Sequence, residues 1–363
     1  NQLVVVTGVS GSGKSSLVFD TLYTEAQRQW IETFSSFARR RLPKLSRPDV
    51  DDIHNLAPSI VIDQAPMGRT LRSTVGTATE IFTYLRMLFS RLGEPFVGAS
   101  YKFSFNHPEG MCPLCKGLGK RIAVDANRLL DCHLSLREGA ITHPDFKVGN
   151  FLWRELAHSG LFDMEKKLAD YSEAELHQLL HAEGIPLDKE AAGIAYSRKH
   201  EGIAARLERY YRNRAEEETP EEERNAYQRY LVYDDCPDCG GSRLNPEARM
   251  VRLNGRTIVE VSDLELTALD AYLAEIPGPI AEPLTRKMRS VLGHLMETGV
   301  GYLSLNRSVA TLSGGEGQRV KLARQLDCDL TGLLYVLDEP SVGLHPRDTV
   351  NLIRIMRRLR DKG

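Results

Sequence analysis

The sequence predicts an α/β protein whose fold is interrupted by a mainly helical insertion. An apolar run at residues 3–6 leads through a glycine-rich turn into a helical pattern from about Lys14. A later apolar run, residues 333–337, ends in two acidic residues. Between about residues 119 and 235 the sequence changes to polar, helix-favouring stretches with few β-branched runs. Alternating apolar strands and helices are typical of parallel sheets, and the polar middle indicates an added module.

Length and composition exclude several protein classes. A chain of 363 residues is expected to form two to three domains at about 150 residues each. Lys and Arg number 47 against 49 Asp and Glu, and 42% of the residues are hydrophobic, which excludes a wholly disordered chain and a histone-like basic protein. No run approaches the ~18 apolar residues of a transmembrane helix, so we expect no membrane contact and a cytoplasmic location. Any surface for nucleic acid must be a local patch.

Both ends of the sequence are expected to lie within a longer protein. The run at residues 3–6 predicts a buried strand, with neither an initiator methionine nor a signal peptide before it. Residues 350–362 have a helical pattern with Gly363 in the position of a C-cap, and a further strand normally follows such a helix. Without an export signal, the thiols are expected in a reducing cytosol, where cysteine pairs bind metal more often than they form disulfides.

Short apolar runs predict the remaining strands. Residues 60–62 form one such run, and residues 333–337 predict a fully buried strand. Residues 250–253 and 257–261 predict two short strands around Asn254 and Gly255, a turn that is typical of a hairpin.

A glycine-rich loop predicts a site for nucleotide phosphates. Residues 8–15, GVSGSGKS, fit the pattern G-x-x-x-x-G-K-[ST] between an apolar run and a helical pattern. Glycines leave the backbone N–H groups open to wrap phosphates, and the helix N-terminus adds partial positive charge. Lys14 is expected to reach the β- and γ-phosphates of ATP and Ser15 to bind Mg²⁺; the alternative is a loop that only turns the chain. The residues expected to bind the nucleotide are Gly8, Ser10, Gly11, Ser12, Gly13, Lys14, Ser15 and Ser16.

Two acidic residues at the end of the last apolar run are candidates for hydrolysis. Asp338 follows residues 333–337 directly and is the expected Mg²⁺ partner, and Glu339 is placed to polarise water for attack on the γ-phosphate. The alternative, two solvated acids at a strand end, is disfavoured by the phosphate loop in the same chain. The two motifs together predict ATP hydrolysis.

A third motif narrows the class of ATP-hydrolysing protein. Residues 312–319, LSGGEGQR, precede a helical pattern and resemble the signature of the ABC ATPase superfamily, LSGGQ, with glutamate at the fifth place. The resemblance implies a second anion-binding helix N-terminus, which closes over ATP held by the phosphate loop of another nucleotide-binding domain. The residues that it assigns to this contact are Ser313, Gly314, Gly315 and Glu316.

The same resemblance assigns two further segments. Gln64 matches the catalytic glutamine of the superfamily's Q-loop; a surface position in a turn is the alternative. Residues 341–345 occupy the place of the D-loop. His345 lies within that segment and is not the switch histidine, which would follow a further strand beyond Gly363.

Four cysteines in two distant pairs predict a zinc site. Cys112 and Cys115 form one C-x₂-C pair, and Cys236 and Cys239 form the other, each followed by glycines that allow a tight turn. A shared Cys₄ zinc would close the base of the insertion and would be structural, because four thiolates leave no open coordination position. The alternatives are two disulfides or separate free thiols. The cysteines without a partner at ligand spacing, expected to be single thiols, are Cys132 and Cys328.

The combination of motifs resembles the UvrA family, the damage-recognising ATPase subunit of bacterial excinuclease. The segments that carry the resemblance are residues 8–16, 72–77 (RSTVGT), 103–106 (FSFN), 241–244 (GSRL), 312–319 and 335–344. Family members carry two such halves in one polypeptide, so the chain is similar to an N-terminal half. The resemblance implies a DNA-binding ABC ATPase that uses ATP, Mg²⁺ and Zn²⁺ and forms a homodimer of the full-length protein. Its expected substrate is damaged or drug-bound duplex DNA, in nucleotide excision repair or in resistance to DNA-binding antibiotics.

One segment departs from the pattern of the repair UvrA proteins. Those proteins carry a UvrB-binding module between a Gly-Glu-Pro segment and Phe-Ser-Phe-Asn, whereas here residues 96–102 alone separate Pro95 from Phe103. The chain is therefore similar to the shorter UvrA paralogues, including those associated with self-resistance to DNA-binding antibiotics. This departure puts the recruitment of UvrB in doubt.

Two basic clusters are candidates for DNA contact. The first follows the first helical pattern and comprises Arg39, Arg40, Arg41, Lys44 and Arg47. The second lies in the insertion and comprises Arg206, Arg209, Arg212 and Arg214, with Tyr210 and Tyr211 interleaved. The spacing of the second cluster predicts one stripe on a helix. The alternative is a solvated face paired with Glu208 and the acidic run 216–223.

Taken together, the motifs predict an ABC-type P-loop nucleotide-binding domain interrupted by a zinc-stapled, mainly helical insertion. The expected parts are a first ATP-binding part in residues 1–95, a signature and zinc domain in 96–119 and 236–300, a helical insertion in 120–235, and a second ATP-binding part in 301–363. The alternative is the nucleotide-binding subunit of an ABC transporter or another partner-driven ABC ATPase, which does not usually carry a zinc-bound module of this size. A coiled-coil chromosome-organising ATPase is excluded, because the insertion shows no sustained heptads.

Overall fold

A computed structural model describes residues 1–67, 72–186, 199–214, 229–328, 330–342 and 346–362. The chain divides into two compact units. The first unit combines Asn1–Phe103 with Glu247–Gly363, and the second is Ser104–Pro246. The second unit is therefore an insertion between two parts of the first.

Helices form most of the regular structure. In chain order they are α1 (Thr24–Glu32), α2 (Ser36–Arg39), α3 (Val75–Ala78), α4 (Ile81–Leu92), α5 (Ala126–Leu129), α6 (Phe151–Ala157), α7 (Glu173–His181), α8 (Ile203–Arg214), α9 (Pro246–Met250), α10 (Ile258–Asp263), α11 (Leu266–Ala274), α12 (Ala281–Glu297), α13 (Gly314–Asp327) and α14 (Pro346–Lys362). A π-helix, Ser16–Tyr23, precedes α1, and 3₁₀ helices cover Ser100–Phe103, Pro144–Phe146, Leu168–Asp170 and Val309–Thr311. Within the described ranges, no helix is long and apolar enough to span a bilayer.

The described strands pair two by two. The pairs are parallel β1 (Ser59–Ile62) with β8 (Leu334–Leu337), and antiparallel β2 (Lys120–Val124) with β5 (Leu231–Asp235), β3 (Ile185–Pro186) with β4 (Lys199–His200), and β6 (Arg252–Leu253) with β7 (Arg256–Thr257).

The parallel pair β1 and β8 organises part of the first unit. Its register aligns Ser59 with Leu334 and Ile62 with Leu337, so both carboxyl ends lie at one edge. The π-helix packs against both strands, and the Gln27 side chain of α1 donates a 2.6 Å hydrogen bond to the carbonyl oxygen of Ser59. Ile62 packs in an apolar cluster with residues of α13 and α14, namely Leu322, Leu326, Leu352, Ile355 and Leu359.

A helical layer built around α12 completes the first unit. This helix packs against α4, α11 and α13. Its buried apolar residues recur at helical spacing and include Leu284, Met288, Val291, Leu292 and Leu295. An apolar face of this width is what a helix needs to pack among several neighbours.

The second unit combines helices with short strands. The strands β2 and β5 pair from Lys120 opposite Asp235 to Val124 opposite Leu231, and helices α5 to α8 lie between them in the chain. Helices α7 and α8 pack against each other, and α8 packs against β2. Their core is apolar and includes Leu129, Leu136, Leu168, Leu179 and Ile203. The unit thus has a core of its own.

The prediction of a buried strand at residues 3–6 is wrong. The backbone there forms no strand, and Val4 and Val5 are 73% and 75% exposed. An apolar run becomes a strand where a neighbour accepts its backbone hydrogen bonds. Across the described part of the chain, β1 and β8 pair only with each other. The last strand, β8, forms as predicted but is half-buried apart from Val336.

The hairpin prediction is correct in its turn, too long in its first strand, where Met250 ends α9, and wrong in its second strand. Strands β6 and β7 pair around Asn254 and Gly255, but the chain becomes helix α10 at Ile258. The hydroxyl of Thr257 accepts the N–H of Glu260 at 3.2 Å, and the Glu260 carboxylate accepts the N–H of Thr257 at 2.7 Å. This capping box starts a helix despite the β-branched residues that follow.

We expect Thr257→Ala to lower the free energy of unfolding by about 1 kcal/mol, because the first turn of α10 loses its cap. Thr267→Ala on the exposed face of α11 is the matched control and should change it by less than about 0.5 kcal/mol. Urea denaturation of both variants measures the difference. Equal losses would mean that the capping box does not determine where β7 ends.

Candidate functional site

The phosphate loop has a backbone that demands glycine. Gly11 and Gly13 have φ values of 80° and 83°, in the left-handed region that side chains disfavour. The Lys14 ammonium group donates hydrogen bonds to the carbonyl oxygens of Gly8 at 2.9 Å and Val9 at 2.8 Å. Lys14 thus folds back over its own loop, and Ser15 and Ser16 lie exposed at the start of the helix. Free N–H groups at such a helix start favour an anion.

The predicted acidic residues and Gln64 follow the two parallel strands at the same edge. Asp338 comes directly after β8, and its N–H donates to the carbonyl oxygen of Ile62 at the end of β1 at 3.3 Å. The Asp338 side chain is half-buried. The next residue, Glu339, has a backbone φ of 41°. A non-glycine residue in this left-handed region is uncommon and is a feature of functional turns.

The start of α13 contacts Gln64. A Cβ atom built on Gly314 would lie 3.1 Å from the Cβ atom of Gln64 and 3.2 Å from its Oε1 atom. Gln64 is half-buried, so it is not a freely solvated turn residue. The structure therefore brings together the Q-loop candidate and the signature candidate of one chain.

Glu316, at the fifth place of the signature, caps its own helix. Its N–H donates to the Ser313 hydroxyl at 3.3 Å, and its carboxylate accepts the Ser313 N–H at 2.7 Å. The Tyr302 hydroxyl donates to the same carboxylate at 2.8 Å. Burial opposes ionisation of Glu316, but these hydrogen bonds outweigh it and hold the pKa of its carboxyl below the usual value. The sequence analysis did not single out Tyr302, because it lies outside the signature motif and no spacing links it to Glu316.

The D-loop candidate is only partly within the described residues. Ser341 and Val342 are exposed in a turn that the N–H of Val342 closes onto the Glu339 carbonyl oxygen at 3.0 Å. Residues 343–345, including His345, lie outside the described part of the chain.

The four predicted zinc ligands meet in the second unit. The Sγ atoms of Cys112, Cys115, Cys236 and Cys239 all lie within 4.8 Å of one another, and all four side chains are buried. Short backbone contacts bring the two pairs together, because the N–H of Cys112 donates to the Arg243 carbonyl oxygen at 2.8 Å. The ladder of β2 and β5 continues this contact, since the two strands lie between the pairs in the chain. The other two cysteines lie outside this cluster, Cys132 exposed and Cys328 half-buried.

The donor set fits zinc. The Sγ atoms of Cys112 and Cys236 are 3.9 Å apart, and those of Cys115 and Cys239 are 3.7 Å apart. Tetrahedral zinc with Zn–S bonds of about 2.3 Å separates its sulfurs by about 3.8 Å, whereas a disulfide requires about 2.05 Å. Burial raises the pKa of the Cys112 and Cys239 thiols, so a cation is needed to hold both as thiolates. The arrangement could hold a structural metal and does not match two disulfides.

Two arginines of the second basic cluster form ion pairs within their own unit. A guanidinium nitrogen of Arg206 lies 3.7 Å from the buried carboxylate of Glu155, and Arg209 pairs with Glu201. The Glu208 carboxylate accepts the N–H of Val124 at 3.0 Å. The side chains of Arg212 and Arg214 and the acidic run 216–223 lie outside the described residues. Every member of the first cluster is exposed: Arg39, Arg40, Arg41, Lys44 and Arg47.

We expect Cys239→Ser to abolish zinc binding, because three thiolates and a hydroxyl hold the ion far less tightly than four thiolates. Structural zinc contributes about 10–16 kcal/mol in small domains, so residues 104–246 should also become sensitive to protease. Cys132→Ser, at an exposed thiol, is the matched control and should keep one zinc per chain. Mass spectrometry measures the zinc content per chain of both variants. Full zinc content in Cys239→Ser would refute the shared site.

Comparisons with known proteins identify relatives over the whole chain. No family model matches it. It is similar to the UvrABC system protein A of Thermus thermophilus, at 30% identity over 524 aligned residues, which cover 100% of this chain and 54% of that protein. The corresponding protein of Paucimonas lemoignei is 37% identical over 402 residues, which cover 100% of this chain and 58% of that protein.

A solved structure agrees with these relatives. The crystal structure of UvrA2 from Deinococcus radiodurans superimposes with a TM-score of 0.77 at 35% identity, over 98% of this chain and 48% of that chain. The present chain spans about half the length of the relatives that it matches. It belongs to the UvrA family and matches the N-terminal half of its members.

Proposed function

We propose that the chain is the N-terminal ATPase half of a UvrA-like protein that binds damaged or drug-modified duplex DNA and uses ATP hydrolysis to control loading and release. The observation that carries this proposal is the common edge of β1 and β8, where Gln64 and Asp338 follow adjacent strands. The π-helix that continues from the phosphate loop packs against both strands. Convergence of these motifs on one strand pair is what hydrolysis of a nucleotide requires.

The chemistry follows from the roles that these side chains can take. Lys14 would bind the β- and γ-phosphates, and Ser15 and Asp338 would hold the Mg²⁺ that neutralises their charge. Glu339 would polarise a water for attack on the γ-phosphorus while Gln64 orients it. The new P–O bond forms as the bond to the β–γ bridging oxygen breaks, and the products are ADP and inorganic phosphate. The attacking water loses a proton in this step, and the Glu339 carboxylate would accept it.

A second ATPase half is part of the proposal. Residues Ser313 to Glu316 form a capped helix start on this chain, and such a start suits phosphate held by a phosphate loop on another half. That half would come from the same polypeptide, with a homodimer of the full-length protein as the working form. The chain alone is then expected to hydrolyse ATP weakly.

The length of the alignments supports a short form of the family. The alignment to the Thermus thermophilus relative runs over 524 positions, whereas this chain has 363 residues, so that relative carries about 160 positions without a counterpart here. Only residues 96–102 separate Pro95 from Phe103. The proposed function therefore includes no module for UvrB between those two residues, and resistance to a DNA-binding drug remains one of the two proposed roles.

We expect Lys14→Ala in the complete protein to lower kcat/KM for ATP about 100-fold or more, because the phosphates lose their ammonium partner. Lys147→Ala, at an exposed lysine of the second unit, is the matched control and should retain the wild-type rate. Phosphate release is measured without DNA, with native duplex and with intercalator-treated duplex. Equal rates for wild type and Lys14→Ala would refute ATP hydrolysis at this loop, and rates indifferent to every DNA would refute DNA sensing.

For DNA binding we favour the first basic cluster, because its side chains are exposed while Arg206 and Arg209 are ion-paired. A triple variant, Arg39→Ala, Arg40→Ala and Lys44→Ala, should weaken duplex binding. The slope of log affinity against log salt should fall by about 1 for each phosphate that is no longer neutralised. Arg206→Ala with Arg209→Ala is the comparison and should leave the slope unchanged. Fluorescence anisotropy at several salt concentrations measures this slope. If the slope falls in the Arg206→Ala and Arg209→Ala variant and not in the triple variant, the DNA interface lies in the insertion instead.

A further inference from the structure

A buried glutamine joins the signature helix to the ends of both parallel strands. Gln318 lies in the second turn of α13 and is 4% exposed. Its Nε2 atom donates hydrogen bonds to the carbonyl oxygen of Ile62 at 3.0 Å and to that of Asp338 at 2.6 Å. One side-chain amide therefore spans the carboxyl ends of β1 and β8.

Both protons of this amide are used, and both acceptors lie where the ladder of β1 and β8 ends. Ile62 is the last residue of β1, and Asp338 follows the last residue of β8. A buried carbonyl oxygen is destabilised when it loses a donor, so each hydrogen bond restrains the backbone that accepts it. The separation of the two strand ends thus depends on a residue of a third element, α13.

A second side chain of α13 holds the segment that follows β1. The Lys321 ammonium group donates to a carboxylate oxygen of Asp63 at 2.6 Å and to the carbonyl oxygen of Ala65 at 2.7 Å. Gln64 lies between these two residues and also contacts Gly314 at the start of the helix. The backbone on both sides of Gln64 is therefore tied to α13.

We propose that Gln318 is a positioning residue for ATP hydrolysis, which sets the backbone of Asp338 relative to the segment of Gln64 and makes that geometry depend on the signature helix. The proposal rests on the hydrolytic function proposed above. The two hydrogen bonds of the Gln318 amide go to the strand ends and not to the phosphate loop, so it acts on the strand ends and not on nucleotide binding. Loss of its amide should lower kcat while the KM for ATP changes little.

The variants separate the hydrogen bonds from packing. Gln318→Met keeps the length of the side chain without a donor, and Gln318→Glu keeps its shape but replaces the donor by an acceptor. Gln325→Met, two turns further along α13, is the matched control, because Gln325 bridges neither strand end. In the complete protein, both Gln318 variants should lose about 10-fold or more in kcat, with the KM for ATP within about 3-fold.

A readout that does not depend on activity accompanies the kinetics. Amide hydrogen exchange should accelerate in residues 62–66 and 337–342 of Gln318→Met and stay unchanged in Gln325→Met. If a Gln318 variant shows wild-type exchange in those segments, or a kcat within about 2-fold of wild type, the positioning role is overturned. The proposed function still stands in that case, as long as the activity of the wild type depends on Lys14. An equal loss in Gln325→Met would also overturn it, since the effect would then belong to the helix as a whole. Hydrolysis that does not depend on Lys14 would overturn the proposed function and this inference with it.

Discussion

The parallel pairing of β1 with β8 is the constraint on which the candidate ATP site depends. The two strands are remote in the chain, and their register places Ile62 beside Leu337. Because the strands run the same way, the residues that follow them emerge at one edge. Asp338 and Gln64 thereby follow adjacent strands at the same edge, although neither strand carries a signal for the other in its sequence. The insertion separates them in the chain without separating them in the first unit.

Polar contacts at that edge make the arrangement specific. The carbonyl oxygen of Ile62 accepts from the N–H of Asp338 and from the amide of Gln318. A buried amide with both protons engaged tolerates little displacement, because any shift leaves a polar group unpaired. The capping box at Ser313 and Glu316 holds the start of the same helix. The helix that is capped at Ser313 therefore also donates hydrogen bonds to both strand ends through Gln318.

The second unit is stabilised in a different way. Its two entry strands, β2 and β5, form a short antiparallel ladder, and a ladder of this size is marginal by itself. The four thiols lie just before the first strand and just after the second, where a metal would close the end of the ladder. The buried sulfurs stand at the spacing of zinc ligands, so the metal and the apolar core would stabilise the same unit.

The sequence by itself determined the motifs whose chemistry is local. The glycines at 11 and 13 indicate a loop whose backbone N–H groups are open to phosphates, and two C-x₂-C pairs indicate a common metal. Tertiary structure alone decided which apolar runs became strands: residues 60–62 found a partner in β8, whereas residues 3–6 are exposed and form no strand. It also decided that Glu208 pairs with a strand N–H and that Gln318 and Tyr302 belong to the candidate site. The physical reason is that hydrogen bonds between residues remote in the chain produce no periodicity or spacing in the sequence. Backbone flexibility and metal-ligand chemistry, by contrast, depend on the type of each residue.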